Sequence, residues 1–238
     1  YKGHSMDEKV FQNLKDLLGD EIEYSEISYI DGKGKTEELN VSKSSLTAEL
    51  FGIILGDGYL QSTTRKRKDR IVSAHRLVIT LHSDEKQLKE RTCSLLQETS
   101  PKDPQIQYLK DSDALQILVN SKELVEELTE LGLKPGDKVE NQVEVPGWIM
   151  ENREYEIVCL KALVDPDGTV YRQTSDQRIV IQFKNHSKPL LNNFRQMCAD
   201  LNIETSNAGS KTVQVADQGH VRKFLDKIKP LKASNIDF

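Results

Sequence analysis

Apolar and polar positions along the chain fall into two recurring patterns, which together predict a mixture of helices and antiparallel strands. Apolar residues spaced three to four apart predict helices, and strict alternation of apolar and polar residues predicts strands. Two predicted helices are apolar over almost their whole length, and each runs directly into an Asp-Gly pair. They cover residues 46–56 and 153–164, and the same order of elements follows both of them.

Each apolar helix is followed by two strands, a helix, two more strands and a closing helix. In the first copy these elements are strands at 59–62 and 71–82, a helix at 84–97, strands at 106–110 and 114–119, and a helix at 121–131. In the second copy they are strands at 169–173 and 178–184, a helix at 187–201, strands at 204–206 and 212–215, and a helix at 218–228. The pattern predicts an α+β fold of two pseudo-symmetric α-β-β-α-β-β-α halves.

The repeat also predicts how the chain is divided. Proline and glycine cluster between the two copies, which is typical of a linker. The N-terminal stretch precedes the repeat and predicts a helix at 7–18 and a hairpin around Asp31-Gly32. The predicted segments are 1–5, an expression remnant; 6–44, an N-terminal extension; 45–132, the first half; 133–152, the linker; and 153–238, the second half.

The Asp-Gly pairs give the repeat its candidate chemistry. Gly52 and Gly56 lie on one face of the first apolar helix, where the missing Cβ atoms allow another helix to approach closely. Two such helices side by side would bring Asp57 and Asp167 together at the negative ends of the helix dipoles, where a divalent cation would relieve their repulsion. An Asp-Gly pair is also a common helix stop with glycine in the left-handed conformation, so the repetition carries the functional interpretation.

The stretches LFGIILGDG at 50–58 and LKALVDPDG at 160–168 resemble the LAGLIDADG signature of homing endonucleases, with Asp57 and Asp167 at its last acidic position. The resemblance covers nearly everything from residue 46 to the C-terminus. It implies a saddle, with antiparallel sheets lying in the DNA major groove and the motif helices packed at the centre. It also implies an intron-encoded, single-chain enzyme that acts as a monomeric pseudo-dimer. Such an enzyme binds a long asymmetric double-stranded DNA site and hydrolyses both strands across the minor groove.

The resemblance implies a metal site as well. Asp57 and Asp167 would hold Mg²⁺, with the backbone carbonyls of Gly56 and Pro166 as further metal ligands, and Mn²⁺ or Ca²⁺ would substitute in binding. Asp165 is left out of the site, because an apolar residue occupies its place in the first copy.

Further residues take their expected roles from the same resemblance. Lys138 and Lys232 each follow the closing helix of a half and would act near the scissile phosphates as catalytic residues. Polar residues that hold solvent near the metals would lie around Ser83 and Asn185. His186 stands beside a turn, where a solvated histidine is common, and no metal or base role is assigned to it.

Basic and polar side chains lie where a DNA-binding sheet would need them. The densest basic run, residues 65–70, follows the first Asp-Gly between two predicted strands, although a solvated hairpin tip would look the same. Apolar Leu77, Ile79 and Leu81 alternate with polar residues that would face DNA or solvent. The predicted DNA contacts are Arg65, Lys66, Arg67, Lys68, Arg70, Arg76, Thr80, His82, Arg178, Gln182 and Lys184.

The overall composition is acidic for a DNA-binding protein, with a formal net charge of −5 and a pI near 5.7. No apolar run reaches membrane-spanning length, and no secretory signal is present. Cys93, Cys159 and Cys198 lie in helical patterns rather than at metal-ligand spacing. These observations predict a reduced, cytoplasmic protein that uses neither a membrane nor a small-molecule cofactor.

Three other functions are alternatives to the endonuclease. A DNA-binding regulator that does not cleave would agree with the acidic balance, although both acids are retained. An RNA maturase would use the same scaffold, and sequence does not separate it from a nuclease. An intein would need a terminal His-Asn pair, whereas the given sequence ends in SNIDF.

Overall fold

The computed structural model describes residues 39–67 and 70–233, and it describes the backbone alone for most of residues 65–72. The helix expected at 7–18 and the hairpin around Asp31-Gly32 therefore lie outside the described residues. So do the side chains of the basic run at 65–70. The predictions for these parts stay predictions.

The described chain forms two antiparallel four-stranded sheets with helices packed on one face of each. The helices are α1 (Ser45–Asp57), α2 (Lys86–Thr99), α3 (Lys122–Glu130), α4 (Gly147–Met150), α5 (Arg153–Asp167), α6 (Lys188–Asp200) and α7 (Gln218–Ile228), followed by a 3₁₀ helix at Leu231–Ala233. The strands are β1 (Gly58–Arg67), β2 (Arg70–His82), β3 (Gln105–Tyr108), β4 (Ala114–Val119), β5 (Gly168–Arg172), β6 (Ile179–Lys184), β7 (Ser206–Asn207) and β8 (Thr212–Val215). The sheet orders β1-β2-β4-β3 and β5-β6-β8-β7 repeat each other, which confirms the predicted fold class.

The two motif helices begin and end for local reasons that the sequence contains. The Ser44 hydroxyl accepts a hydrogen bond from the Thr47 amide at 3.2 Å and caps α1, while Asn152 caps α5. Both helices end at their aspartate, and the following Gly58 and Gly168 are extended rather than left-handed. The left-handed helix-stop explanation therefore does not apply here. A Cβ on Gly58 would lie 2.5 Å from the Ile54 Cα, so close approach to the preceding turn requires glycine.

The motif helices pack directly against each other at the glycine face of α1. A Cβ on Gly52 would lie 2.6 Å from the Ala162 Cβ and 2.7 Å from the Cys159 carbonyl oxygen. A Cβ on Gly56 would lie 2.6 Å from the Cγ of Pro166. The prediction that these glycines allow a second helix to approach is confirmed. This contact fixes the distance between the two halves at the end that carries the aspartates.

The first hairpin of each half differs in length and register. Strands β1 and β2 have 10 and 13 residues, whereas β5 and β6 have 5 and 6. Gly58 pairs with Ile79, three residues before the end of β2, whereas Gly168 pairs with Phe183, one residue before the end of β6. A shift by two residues keeps every side chain on its original face. The basic run was expected as a loop, but β1 continues through Arg67, because paired residues on both strands extend the ladder.

The segment expected as a linker is packed rather than loose. Val143, Val145 and Ile149 are buried, and the segment contains the short helix α4. The indole of Trp148 donates to the Leu131 carbonyl at 2.9 Å in the first half, and Ser187 in the second half donates to the Val143 carbonyl at 2.5 Å. The joining segment therefore contacts both halves and holds Lys138 in place.

In the described part of the chain, one apolar core runs between the sheets and helices. Leu77, Ile79 and Leu81 are each no more than 1% exposed, so the predicted inward face of β2 is confirmed. Cys159 and Cys198 are buried, Cys93 is half-buried, and all three are free thiols. Within residues 39–67 and 70–233, no helix has the length and apolar character needed to cross a membrane.

A buried carboxyl at the start of α5 is expected to make stability depend on pH. Glu156 is 3% exposed, and burial together with a side-chain hydrogen bond to Asp200 raises its pKa from 4.5 to about 7. The folded protein therefore binds this proton more tightly than the unfolded chain does. The stabilisation of the folded state by the protonated Glu156 is complete below pH 4.5 and is lost as the pH rises through about 7. We expect the free energy of unfolding to fall by about 3 kcal/mol over this window.

Urea denaturation of Glu156→Gln between pH 4.5 and pH 8 measures this effect. The amide stays neutral, so the variant should lose this part of the pH dependence and exceed the wild type in stability at pH 8. Glu151→Gln, at an exposed position, is the control for loss of a glutamate. An identical pH profile for Glu156→Gln and the wild type would contradict the prediction.

Candidate active site

The two motif aspartates lie together at the paired ends of α1 and α5. A Cβ built on Gly56 would be 3.7 Å from the Asp167 Cγ, so the second carboxylate lies against the last turn of the first motif helix. Burial, and then the charge of Asp167, raise the pKa of Asp57 to about 6. Burial also raises the pKa of Asp167. The arrangement therefore holds two mutually repelling carboxylates in a partly buried place.

The end of each motif helix accepts hydrogen bonds from one lysine. Lys138 Nζ donates to the carbonyls of Leu55, at 3.2 Å, and of Gly56. Lys232 Nζ donates to the carbonyls of Pro166 at 2.6 Å and Gly168 at 2.9 Å. Terminal helix carbonyls carry the negative end of the dipole, so an ammonium group is a suitable partner. The structure thus brings both sequence-predicted lysines to the site, one on each motif.

The Lys138 ammonium is electrostatically coupled to both aspartates. Burial lowers its pKa, while the charges of Asp167 and Asp57 act to raise it. In return, the charge of Lys138 opposes the rise in the pKa of each aspartate. The centre is therefore a set of compensating charges.

Asn185 and Asp165 hold parts of the second half around Asp167. The Asn185 amide nitrogen donates to Asp167 Oδ2 at 2.9 Å, and its oxygen accepts from the Ser187 amide at 2.9 Å. Asn185 therefore contacts the carboxylate directly. Asp165 is 4% exposed and accepts from the Leu231 amide at 2.6 Å. Its role is to anchor the 3₁₀ helix that carries Lys232, in agreement with its exclusion from the metal site.

Glu85 is a further acidic residue at the site that sequence reasoning missed. It precedes α2, and its Oε1 lies 3.6 Å from Lys232 Nζ. Its charge also contributes to raising the pKa of Asp57. The sequence shows only an acidic residue near a predicted helix start. The fold is needed to show that Lys232 lies beside it. Ser83, the residue expected to hold solvent, is half-buried, and its amide donates to the Asp113 carbonyl at 2.7 Å.

The donor atoms at the centre fit a divalent cation. Carboxylate and carbonyl oxygens are the ligands that Mg²⁺ prefers, and a cation would offset the repulsion between Asp57 and Asp167. The carbonyls of Gly56 and Pro166 already accept from the lysines, yet a carbonyl oxygen has two lone pairs. In the part of the chain that the structure describes, no cluster of three or more His, Cys, Asp or Glu side chains has metal-binding geometry. Other ligands would have to come from backbone, water or substrate.

The sheet face opposite the helices carries polar side chains in both halves. On the first sheet, Arg76 and Thr80 occupy this face as predicted, and Gln116 Nε2 donates to the Thr80 hydroxyl at 3.4 Å. The buried Nε of Arg76 has no hydrogen-bond partner among the described residues. Tyr59 stands on the same face, 43% exposed, opposite Val78. This face therefore carries a half-buried arginine and an exposed aromatic ring.

The second sheet has an oriented amide network at the corresponding place. Gln182 Nε2 donates to the Tyr171 hydroxyl and to Gln214 Oε1, both at 3.2 Å. Lys184 is exposed at the end of β6. Arg178 lies before β6, and its guanidinium forms an ion pair with Asp176 at 2.6 Å. Sequence patterning missed Tyr171 and Gln214, because short strands give few alternating positions.

The two histidines beside turns, His82 and His186, each contact a charged side chain. His82 is exposed, and its Nδ1 lies 3.7 Å from the Asp84 carboxylate. The Lys211 ammonium lies 3.0 Å from His186 Nδ1. Both histidines therefore contact a charged side chain near the protein surface.

Comparison with known proteins relates this geometry to one family. Residues 154–229 match the model of the LAGLIDADG-like domain, which covers most of the second half. No curated protein sequence matches the chain.

Several solved structures share the fold. The homing endonuclease I-DmoI in complex with DNA and Mn matches over 82% of this chain and 100% of its own, with 20% identity and a TM-score of 0.54. The N-terminal LAGLIDADG domain of DUF199/WhiA matches over 79% of this chain and 86% of its own, with 16% identity and a TM-score of 0.51. The meganuclease I-SmaMI bound to uncleavable DNA has the same coverages, 12% identity and a TM-score of 0.51.

Proposed function

We propose that this chain, which carries a LAGLIDADG-like domain and has the two-motif fold of LAGLIDADG homing endonucleases, is a metal-dependent DNA endonuclease. It binds a long asymmetric duplex as a monomer and hydrolyses both strands. The observation that carries this proposal is the meeting of Asp57 and Asp167 at the paired helix ends, with one lysine on each. A fold alone would not require acids at both places.

Mg²⁺ is the proposed cofactor, held by the carboxylates of Asp57 and Asp167 with the Gly56 and Pro166 carbonyls nearby. When bound, such an ion lowers the pKa of water and stabilises the leaving oxygen in phosphodiester hydrolysis. Asn185 orients the Asp167 carboxylate through its 2.9 Å hydrogen bond.

The two lysines have the proposed role of stabilising charge on the phosphates. Each ammonium is already fixed by backbone carbonyls, so little reorganisation is needed when negative charge develops nearby. Lys138 serves the Asp57 side and Lys232 the Asp167 side. The two sets of groups would each serve one strand of a duplex that lies across the motif helices.

DNA contact is proposed for the polar faces of both sheets and for the basic run at 65–70. Arginine and glutamine side chains can read base edges, while lysines hold phosphates. Because the net charge of the chain is −5, the positive charge for DNA binding is confined to the basic run and the basic residues of the sheets.

A cleavage selection on a randomised duplex library in Mg²⁺ tests the proposal. We expect one long site to be recovered, cut in both strands, with activity lost on metal chelation. A second candidate, a DNA-binding protein that does not cleave, is favoured by the acidic balance. Salt-sensitive, selective binding without cutting in Mg²⁺ or Mn²⁺ would support this second candidate and overturn the first.

Replacement of Arg76 tests the proposed DNA face directly. Because Arg76 lies on the polar face of β2, opposite the buried Leu77, Arg76→Ala removes a guanidinium group of the kind that binds bases and phosphates. We expect affinity for the recovered site to fall about 10- to 100-fold. Arg222→Ala is the matched control, since Arg222 is exposed on α7, on the helix side of the second sheet. Equal affinity of Arg76→Ala and the wild type would contradict a contact at this position.

A further inference from the structure

Glu85 differs from the residues at the start of the other long helices. Ser44, Ser121, Asn152, Ser187 and Asp217 each accept a backbone amide of the helix that they precede. Glu85 makes no such capping hydrogen bond to α2. Because side-chain caps stabilise helix starts, a residue that gives up this role is a candidate for another one.

The Glu85 carboxylate is held in a fixed direction. Its Oε2 accepts from the His82 amide at 3.0 Å, and its own amide donates to the His82 carbonyl at 3.0 Å. The other oxygen, Oε1, lies 3.6 Å from Lys232 Nζ. The two side chains are only 25% and 30% exposed, so water screens their attraction less than at an open surface. Glu85 therefore reaches from the first half to the lysine of the second.

Among the described residues, Lys138 has no equivalent of the contact between Glu85 and Lys232. The two halves align at the ends of β2 and β6, where Ser187 occupies the place of Glu85. Ser187 is 1% exposed and donates to the Val143 carbonyl. Lys138 has three carbonyl acceptors and no carboxylate within ion-pair distance among the described residues. The two lysines are thus fixed in different ways.

From these contacts we propose that Glu85 is a positioning residue for Lys232 and fixes only this one of the two lysines. This inference rests on the proposed endonuclease function. Glu85 contacts neither substrate nor metal in this role; it restricts Lys232 to the position between the Pro166 and Gly168 carbonyls. Loss of the carboxylate releases the ammonium group and slows the nicking of the strand nearest Lys232. On the Asp57–Lys138 side it only removes a nearby negative charge.

The first arm of the test does not need cleavage. A double-mutant cycle of Glu85→Gln, Lys232→Met and both together is measured by urea denaturation. If the pair is formed, the double variant loses less stability than the sum of the single variants. Additive losses would overturn the contact, whether or not the protein cuts DNA.

The second arm measures each strand separately. With both strands of the recovered site labelled, Glu85→Gln should reduce nicking of one strand about tenfold and change the other less than about twofold. Affinity should stay equal or rise, because a negative charge near the phosphates has been removed. A role in folding alone would slow both strands and weaken binding.

Asp84→Asn is the matched control, because Asp84 is the neighbouring acid with an 88% exposed side chain and pairs with His82 rather than Lys232. Equal slowing of both strands by Glu85→Gln, or the same strand bias from Asp84→Asn, would overturn the proposal. Absence of cutting by the wild type would instead contradict the endonuclease function, and the double-mutant cycle would still decide whether Glu85 holds Lys232.

Discussion

Asp57→Asn and Asp167→Asn are each expected to reduce cleavage of the recovered DNA site by about 10³-fold in Mg²⁺, while DNA binding is retained. Asparagine keeps the shape of the side chain but removes the negative charge that would hold a divalent cation. The two carboxylates lie together, so either loss should impair the site. Binding should be unchanged or tighter, because one negative charge near the phosphates is removed.

Single-turnover cleavage and equilibrium binding on the same duplex measure the two effects separately. Asp103→Asn, at an exposed loop position, controls for the change of charge alone. Both motif variants should also be at least as stable as the wild type, because burial raises the pKa of both aspartates and the charge of Asp167 raises that of Asp57 further. Cutting by Asp57→Asn at the wild-type rate would exclude the proposed role of this carboxylate.

Gly52→Ala is expected to lower the free energy of unfolding by about 1–3 kcal/mol, although alanine is the better helix former. The added Cβ would lie 2.7 Å from the Cys159 carbonyl oxygen, which belongs to the backbone and has no rotamer to change. Alanine gains about 1 kcal/mol over glycine in a helix interior, so the overlap outweighs this gain. The motif helices must separate, and Asp57 and Asp167 move apart with them.

Urea denaturation together with the cleavage assay measures this prediction. Gly147→Ala is the control, since its added Cβ would lie 3.8 Å from Glu151 Oε1, which is an ordinary van der Waals distance. Adding Ala162→Gly to Gly52→Ala removes the overlap between the two Cβ atoms. The overlap with the Cys159 carbonyl oxygen stays, so we expect stability to recover only in part. A Gly52→Ala variant as stable and active as the wild type would mean that the helices are not packed this closely.

The sequence was most informative where a single residue type satisfies a local steric or periodic requirement. Gly52 and Gly56 predicted the helix contact because only glycine leaves room for a second backbone. The alternation around Leu77 predicted the buried face of β2 because strand side chains alternate between faces. Both arguments use neighbouring residues, so the chain itself contains the information.

Features that depend on contacts between distant segments were harder to predict from the sequence. The contact between Glu85 and Lys232 joins residues 147 positions apart, and no local pattern indicates it. The anchoring of the 3₁₀ helix by Asp165 is similar, since the acceptor and the Leu231 amide belong to different elements. The length of the β1–β2 hairpin was underestimated because its polar residues looked like a loop. Backbone pairing between β1 and β2 continues through this region and extends both strands.

The unequal hairpins determine how far each half could reach along a duplex. At about 3.3 Å per strand residue, the 10 residues of β1 span about 33 Å, and the 5 residues of β5 span about 17 Å. With base pairs 3.4 Å apart, these lengths correspond to about ten and about five base pairs. A target would then consist of a long half-site and a short one, and base changes would be tolerated closer to the cut on the side of the second half.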